Sequence, residues 1–121
     1  MKLSEAIRLG AMMRPPSVEW HGCALGVAAR AMGCHSAIPT HFLHTTWPWL
    51  AAKIKSPDPS HPTYRRGDAL SVIEDLNGWH RTGLRWTREA IADWVATIEP
   101  QDAPVETGAA CKEGDGVSSY R

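Results

Sequence analysis

The sequence has no surplus of either charge. Thirteen lysine and arginine side chains balance thirteen aspartate and glutamate side chains, so the formal net charge at pH 7 is zero. A chain without a basic excess or a polybasic run lacks the electrostatic attraction that draws proteins to nucleic acid or to an acidic membrane surface. We expect neither as a partner, with Arg65 and Arg66 as a local basic exception.

Long apolar runs and a cysteine framework are also absent. No apolar run approaches the roughly 20 residues that span a bilayer, and Met1–Glu5 leads into a charged amphipathic segment, unlike a signal peptide. The three cysteines are an odd number at wide spacing, which disfavours a disulfide framework and favours reduced thiols. These features predict a cytoplasmic protein.

The common catalytic signatures are missing too. The chain has no glycine-rich phosphate loop, no Ser-His-Asp order and no His-Glu-x-x-His motif. We therefore expect no cofactor and, on balance, no enzymatic activity. A length of 121 residues supports one domain with a modest core.

Two capped helical patterns specify the second half of the chain. Asp68 opens an apolar run of helical period that Asn77 and Gly78 stop, and Thr87 opens another that Pro100 stops. The second run has the spacing i, i+3, i+4 and i+7 of one buried helix face, formed by Ile91, Trp94, Val95 and Ile98. Both segments are predicted to be helices.

Two further helices are predicted in the first half. Ser4 is a plausible N-cap for a helix from Glu5 to about Met13, which Pro15 and Pro16 end. Its buried side comes from Leu3, Ile7 and either Ala11 or Met13. The second helix runs from about Gly22 or Cys23 to Met32, and Gly33 suits a left-handed cap. Gly26 within it is better explained by close packing of a neighbouring helix than by function.

The middle and the end of the chain are less regular. Residues 34–61 contain several prolines, with one short helix predicted over Trp47–Ile54, capped by Thr46. Residues 101–121 are polar and lack periodicity, which indicates a flexible tail. The predicted fold is all-α: a small single-domain bundle of four or five short helices over residues 1–100, followed by the tail 101–121.

Cys23 is the candidate catalytic residue. It lies at the predicted start of a helix, where the dipole and free amides lower a thiol's pKa. His21 or His80 would serve as the base, oriented by Asn77 or Asp68. The alternative is that Cys23 is a small core residue beside Ala24 and Leu25, as free cysteines usually are.

A metal site is a second candidate. Four potential zinc ligands lie within eleven residues, namely Cys34, His35, His41 and His44. Against this, there is no Cys-x-x-Cys knuckle, and Pro39 distorts the spacing. Histidines in a loop are more often solvated than bound to a metal, so we expect no bound metal.

Tryptophan and arginine form the third candidate. Six tryptophans are many for this length, and both residue types are enriched at protein-interface hot spots. The predicted partner-binding residues are Trp47, Trp49, Trp79, His80, Arg81, Arg85 and Trp86. The alternative is that these rings attach the interhelical loop to the core. Glu74 and Asp75 are read as a solvated acidic face, and Trp94 as core.

Three sequence blocks carry a family resemblance. They are KLSEAIRLGAM at residues 2–12, CALG at 23–26, and Leu76-Asn77 followed by WTREAIADWV at 86–95. In this order they resemble small uncharacterised bacterial and phage or prophage proteins. The chain departs from relatives that have Asn-Asp where Asn77-Gly78 stands, and from some that carry Cys-Pro-x-Cys near Ser56-Pro57. The resemblance implies a mobile-element setting and no particular activity.

Together these observations favour a non-enzymatic module that binds a protein partner, such as a phage or prophage accessory protein that inhibits a host defence system. A cysteine-dependent hydrolase or transferase using Cys23 is the alternative, and a small zinc-stabilised domain is the third hypothesis.

Overall fold

The computed structural model describes residues 1–17, 19–59, 67–78 and 86–100. Within these ranges the chain forms five α-helices, which confirms the all-α prediction. They are α1 (Leu3–Ala11), α2 (Ala24–Ala31), α3 (Thr40–Thr46), α4 (Ala69–Leu76) and α5 (Arg88–Ile98). A 3₁₀ turn covers Pro48–Ala51. The predicted tail, residues 101–121, lies outside the described residues.

Helix α1 is central because it packs against both α2 and α5. Its apolar side chains enter one continuous core, whose largest fully buried members include Leu3, Ile7, Leu25, Leu43, Trp47, Leu50, Ile73, Leu76, Ile91 and Val95. At Gly10 the backbones of α1 and α2 almost touch: a Cβ there would lie 2.1 Å from the carbonyl oxygen of Val27. Only glycine permits this approach.

Charged residues that flank α5 close both ends of α1. Glu99, just after α5, is buried and accepts hydrogen bonds from the backbone N–H and the hydroxyl of Ser4 in the first turn of α1. Arg88, the first residue of α5, is also buried and donates to the carbonyls of Ala11 (3.3 Å) and Gly22 (3.2 Å). A carboxylate at a helix N-terminus and a guanidinium at its C-terminus both complement the helix dipole. Hydrogen bonds therefore connect α1 with α5 or its C-cap at both ends of α1.

The first helix differs from its prediction at both ends. It begins at Leu3 with Lys2 as N-cap, because the Glu5 carboxylate turns back to accept the Lys2 N–H at 3.0 Å. Ser4 lies inside the helix and bonds Glu99 instead of capping. The helix ends at Ala11, so Met13, one of the two alternatives for its buried side, is 55% exposed.

Helix α2 matches its prediction closely. It begins at Ala24 with Cys23 as N-cap, and Gly33 adopts a left-handed φ of 92° beyond its end. The close neighbour of Gly26 is not a helix, however. A Cβ at Gly26 would lie 1.5 Å from the Trp20 carbonyl oxygen, in the turn that precedes α2. The packing explanation of Gly26 holds, with a different partner.

The middle of the chain is more regular than predicted. Helix α3 was not expected; it begins directly after Pro39, and Thr46 ends this helix instead of capping the next. The predicted helix over Trp47–Ile54 is a 3₁₀ turn followed by a two-residue strand, β1 (Lys53–Ile54). Strand β1 pairs antiparallel with β2 (Gly67–Asp68), with Lys53 opposite Asp68. Non-local pairing of such short strands leaves no periodic signal in the sequence.

The caps of α4 and α5 are those predicted. The Asp68 carboxylate accepts the Ser71 N–H at 2.8 Å, and the Thr87 hydroxyl oxygen accepts the Ala90 N–H at 3.0 Å. The buried face of α5 is shorter than predicted. Trp94 is only half-buried there and Ile98 is 37% exposed.

The acidic pair on α4 is not a solvated face. Asp75 is buried and Glu74 is half-buried, because α4 is covered on more sides than its amphipathic pattern suggests. Along the described ranges, no helix combines the length and apolarity that crossing a membrane requires.

We predict that Glu99→Ala lowers the free energy of unfolding by about 2–3 kcal/mol, because it strands the buried donors of Ser4. Urea unfolding followed by circular dichroism measures this. Glu89→Ala, at an exposed position in the first turn of α5, is the matched control. Equal stability of the two variants would contradict the role given to Glu99.

Candidate functional site

Cys23 is buried at the N-terminus of α2. Its side chain is 5% exposed, and its sulfur accepts the Gly26 N–H at 3.3 Å. Desolvation raises the pKa of the thiol from 9.0 to about 11; the hydrogen bond from Gly26 opposes the rise and the nearby Glu74 charge adds to it. Burial therefore outweighs the activating effect of the helix N-terminus. The thiol is protonated at neutral pH.

The surroundings of Cys23 do not assemble a catalytic group. The adjoining cavity has a volume of about 10 Å³, which is room for about one water molecule. The Asn77 side chain accepts the Ala24 N–H at 3.0 Å and donates to the Ser17 carbonyl at 3.1 Å, so it fixes backbone and does not orient a histidine. His21 is exposed, and His80 lies outside the described residues. The core alternative for Cys23 fits this geometry better.

Glu74 lines the same cavity and is unusual among the carboxylates. The pKa of Glu74 is raised from 4.5 to about 7, chiefly by desolvation and in addition by the negative charges of Asp75 and Asp68. The side chain therefore titrates near neutral pH. The position of Glu74 explains the shift in its pKa. Its side chain is half-buried on α4 and lines the small cavity beside Trp20.

The four candidate zinc ligands do not come together as a metal site. Cys34 is fully buried and disulfide-bonded, so it offers no thiolate. The expectation of reduced thiols is wrong for this cysteine and right for Cys23, which is free. His35 and His41 are exposed and His44 is half-buried. In the part of the chain that the structure describes, no three histidine, cysteine or acidic side chains are placed to hold a metal ion.

The predicted aromatic surface is only partly a surface. Trp47 is fully buried, packs edge-to-face on Phe42 with ring centroids 6.4 Å apart, and donates its indole N–H to the Met1 carbonyl at 3.1 Å. The Trp47 side chain fills the space between α3 and the N-terminus, so in this fold it has no exposed surface to offer a partner. Trp86 is half-buried and donates to the Asp58 carboxylate at 3.2 Å.

Of the remaining members of that set, one lines a groove and the others lie outside the described residues. Trp49 is half-buried and lines a groove of about 250 Å³ between the N-terminus of α1 and the end of α5. We call this the Trp49 groove; its lining residues are Lys2, Leu3, Trp47, Pro48, Trp49, Glu99 and Pro100. Trp79, His80, Arg81 and Arg85 lie outside the described residues.

An exposed apolar surface lies where no binding site was predicted. Met12 is 84% exposed, Met13 55% and Leu9 40%. With their spacing of i, i+3 and i+4 at the end of α1, they share one side of the chain; we call this the methionine face. The signal in the sequence was a second apolar stripe on α1, beside the stripe of Leu3 and Ile7 that enters the core.

Buried arginine is the other feature that the sequence did not reveal. Arg30 is 8% exposed and donates to the carbonyls of Trp20, Gly26 and Ser36 at 3.2–3.3 Å. Its hydrogen bonds connect α2 with the segments that precede and follow the helix. Such arginines act within the fold, so the basic residues of this chain are not all available to a partner.

Comparison of the chain with models of protein families, with curated proteins and with solved structures gives no match.

We predict that Cys23 is unreactive in the folded protein. With a pKa of about 11 in place of the ordinary 9.0, the thiolate fraction of Cys23 at neutral pH is about 100-fold lower. Alkylation with iodoacetamide, followed by mass spectrometry of the Cys23 peptide, measures the rate in buffer and in denaturant. The denatured chain is the matched control for the same thiol, and faster labelling in buffer would contradict the core assignment.

We predict that Glu74→Gln stabilises the protein above pH 7. A carboxyl whose pKa is raised by folding favours the folded state when it is protonated; this benefit is complete below pH 4.5 and is lost as pH rises through about 7. Glutamine remains neutral throughout.

The melting temperatures of the variant and the wild type should therefore diverge between pH 4.5 and 7, by about a few degrees above pH 7. Scanning fluorimetry across this range measures the divergence. Glu19→Gln, at an exposed position, is the control. A constant difference at all pH values would show that ionisation of Glu74 is not its cause.

Proposed function

We propose that this chain is a non-enzymatic module that binds another protein through the methionine face. The observation that carries the proposal is the exposure of Leu9, Met12 and Met13, three large apolar side chains that adjoin one another at the end of α1. Exposed apolar side chains that cluster are characteristic of interaction surfaces, whereas isolated ones are ordinary.

The residue type also supports a binding role. Methionine is flexible and polarizable, so a methionine surface adapts its shape to an apolar partner. The flanking positions add a basic and rigid rim, with Arg14 half-exposed and Pro15 and Pro16 exposed. The proposed partner surface is therefore an apolar patch on a protein, bordered by acidic groups.

The state of Cys23 favours binding over catalysis. A buried, protonated thiol beside a cavity that holds about one water molecule gives a substrate no access. The side-chain oxygen and nitrogen of Asn77 both form hydrogen bonds with backbone groups. The cysteine-hydrolase alternative thus has little support in the described residues.

The proposed setting is the one that the resemblance to phage and prophage proteins implies. We propose a bacterial host protein as the partner, such as a component of a defence system. In this reading the fold is a rigid support: α2 and α5 fix α1 from its two sides and leave its final turn exposed.

We predict that Met12→Lys weakens partner binding about 30-fold, the effect of roughly 2 kcal/mol that a central interface residue contributes. The immobilised protein would be incubated with lysate of the bacterial host, and proteins retained by the wild type would be quantified by mass spectrometry. A charge at a position that is 84% exposed leaves the fold intact.

Ala37→Lys is the matched control, since it adds the same charge at an exposed position in the loop before α3. The proposal expects a protein that the wild type and Ala37→Lys retain and Met12→Lys loses. Equal retention by all three chains, or no protein retained above an empty resin, would contradict it.

A further inference from the structure

The four methionines of the chain form two pairs that differ in exposure. Met12 is 84% exposed and Met13 55%, and both belong to the methionine face. Met1 and Met32 are only partly exposed, and they pack against the hydrophobic core. A small reagent that arrives from the solvent therefore meets the side chains of the first pair before those of the second.

Methionine has a well-defined reaction with peroxides. A lone pair of the thioether sulfur attacks one oxygen of hydrogen peroxide, so that an S–O bond forms and the O–O bond breaks. The sulfur gives up two electrons, the peroxide is reduced, and a proton moves to the departing oxygen, which leaves as water. The product, methionine sulfoxide, is polar, and methionine sulfoxide reductases convert it back to the thioether.

The fold at the end of α1 does not depend on the methionine side chains. The Met12 N–H donates to the Leu9 carbonyl at 3.2 Å, and the Met13 N–H donates to the Gly10 carbonyl at 2.9 Å. The two side chains are exposed, so an added oxygen on either sulfur needs no space in the core. A sulfoxide at Met32 would instead lie against apolar core side chains, where a polar group is costly.

The chemical consequence falls on the surface proposed above for partner binding. Oxidation would make two of the three side chains of the methionine face polar, and only Leu9 would stay apolar. A sulfoxide oxygen loses its hydrogen bonds to water when an apolar partner covers it, which is why this oxidation disrupts methionine-rich interfaces. The same surface therefore has an apolar reduced state and a polar oxidised state.

We infer that Met12 and Met13 are a redox modification site, at which a peroxide converts the methionine face from an apolar surface to a polar one. The release of a partner by the oxidised face rests on the proposed function, whereas the selectivity of the oxidation and the loss of apolar surface do not. Methionine sulfoxide reductases reverse the change, since they restore both thioethers.

The test treats the full folded chain with hydrogen peroxide and locates the added oxygen atoms by peptide mass spectrometry with fragmentation. We expect Met12 and Met13 to gain one oxygen each several-fold faster than Met1 and Met32, with no change in the melting temperature of the protein. Retention on a hydrophobic-interaction column should decrease as the first pair is oxidised, and should return after treatment with methionine sulfoxide reductases.

A double variant, Met12→Leu with Met13→Leu, is the matched control, because it keeps an apolar face that the peroxide cannot oxidise. Met32→Leu removes a packed methionine instead, so its column retention should fall on oxidation as it does for the wild type. Equal oxidation rates at all four methionines, or an equal loss of retention in the double variant, would overturn the inference.

Capture of a partner separates this inference from the proposed function. The immobilised chain would be oxidised and freed of peroxide before it meets the lysate, and its capture of a partner should weaken about tenfold, while capture by the double variant is insensitive to the treatment. Capture that Met12→Lys abolishes but oxidation leaves intact would overturn the inference and leave the proposed function standing. Capture of no partner by any chain would contradict the proposed function alone, because the oxidation rates and the column retention still decide the inference.

Discussion

The fold depends on the way α5 closes the ends of α1. Glu99 accepts from donors in the first turn of α1, and Arg88 donates to the Ala11 carbonyl at the end of α1 and to the Gly22 carbonyl before α2. Between them, Arg8 and Asp93 form a surface ion pair at 2.7 Å, which adds little because both side chains are exposed. The buried pairs matter more, since each would leave an unsatisfied polar group in the core if one partner were lost. A helix of nine residues is marginal alone, and these contacts let α1 serve as the centre of the domain.

Local signals in the sequence predicted much of this architecture. Asp68 and Thr87 are caps whose side chains bond the backbone three residues onward, so a short window contains the whole interaction. Gly33 is likewise a local requirement for positive φ. The misplaced start of α1 is only partly local: Glu5 accepts the Lys2 N–H three positions away, but Ser4 bonds Glu99, which is 95 positions away. No window of local sequence contains that competition.

The candidate sites show the same division between local chemistry and tertiary context. A cysteine at a helix N-terminus is activated by local geometry, yet Cys23 is deactivated by the burial that surrounding helices impose. Trp47 is of a residue type enriched at interface hot spots, but α3 and the N-terminus enclose its side chain. Conversely, Met13 was one of two alternatives for the buried side of α1, and the early end of the helix leaves both Met12 and Met13 exposed. Exposure is a property of the assembled fold, and residue type alone does not predict it.

The near contact of backbones at Gly10 and at Gly26 has a consequence for how this domain tolerates change. Both glycines face backbone carbonyls, of Val27 and Trp20, which have no rotamer through which to move aside. In a saturation library these two positions would accept almost no side chain, while the neighbouring positions 12 and 13 would accept nearly all. The exposed end of α1 is therefore a place where a new specificity could be selected without disturbing the scaffold.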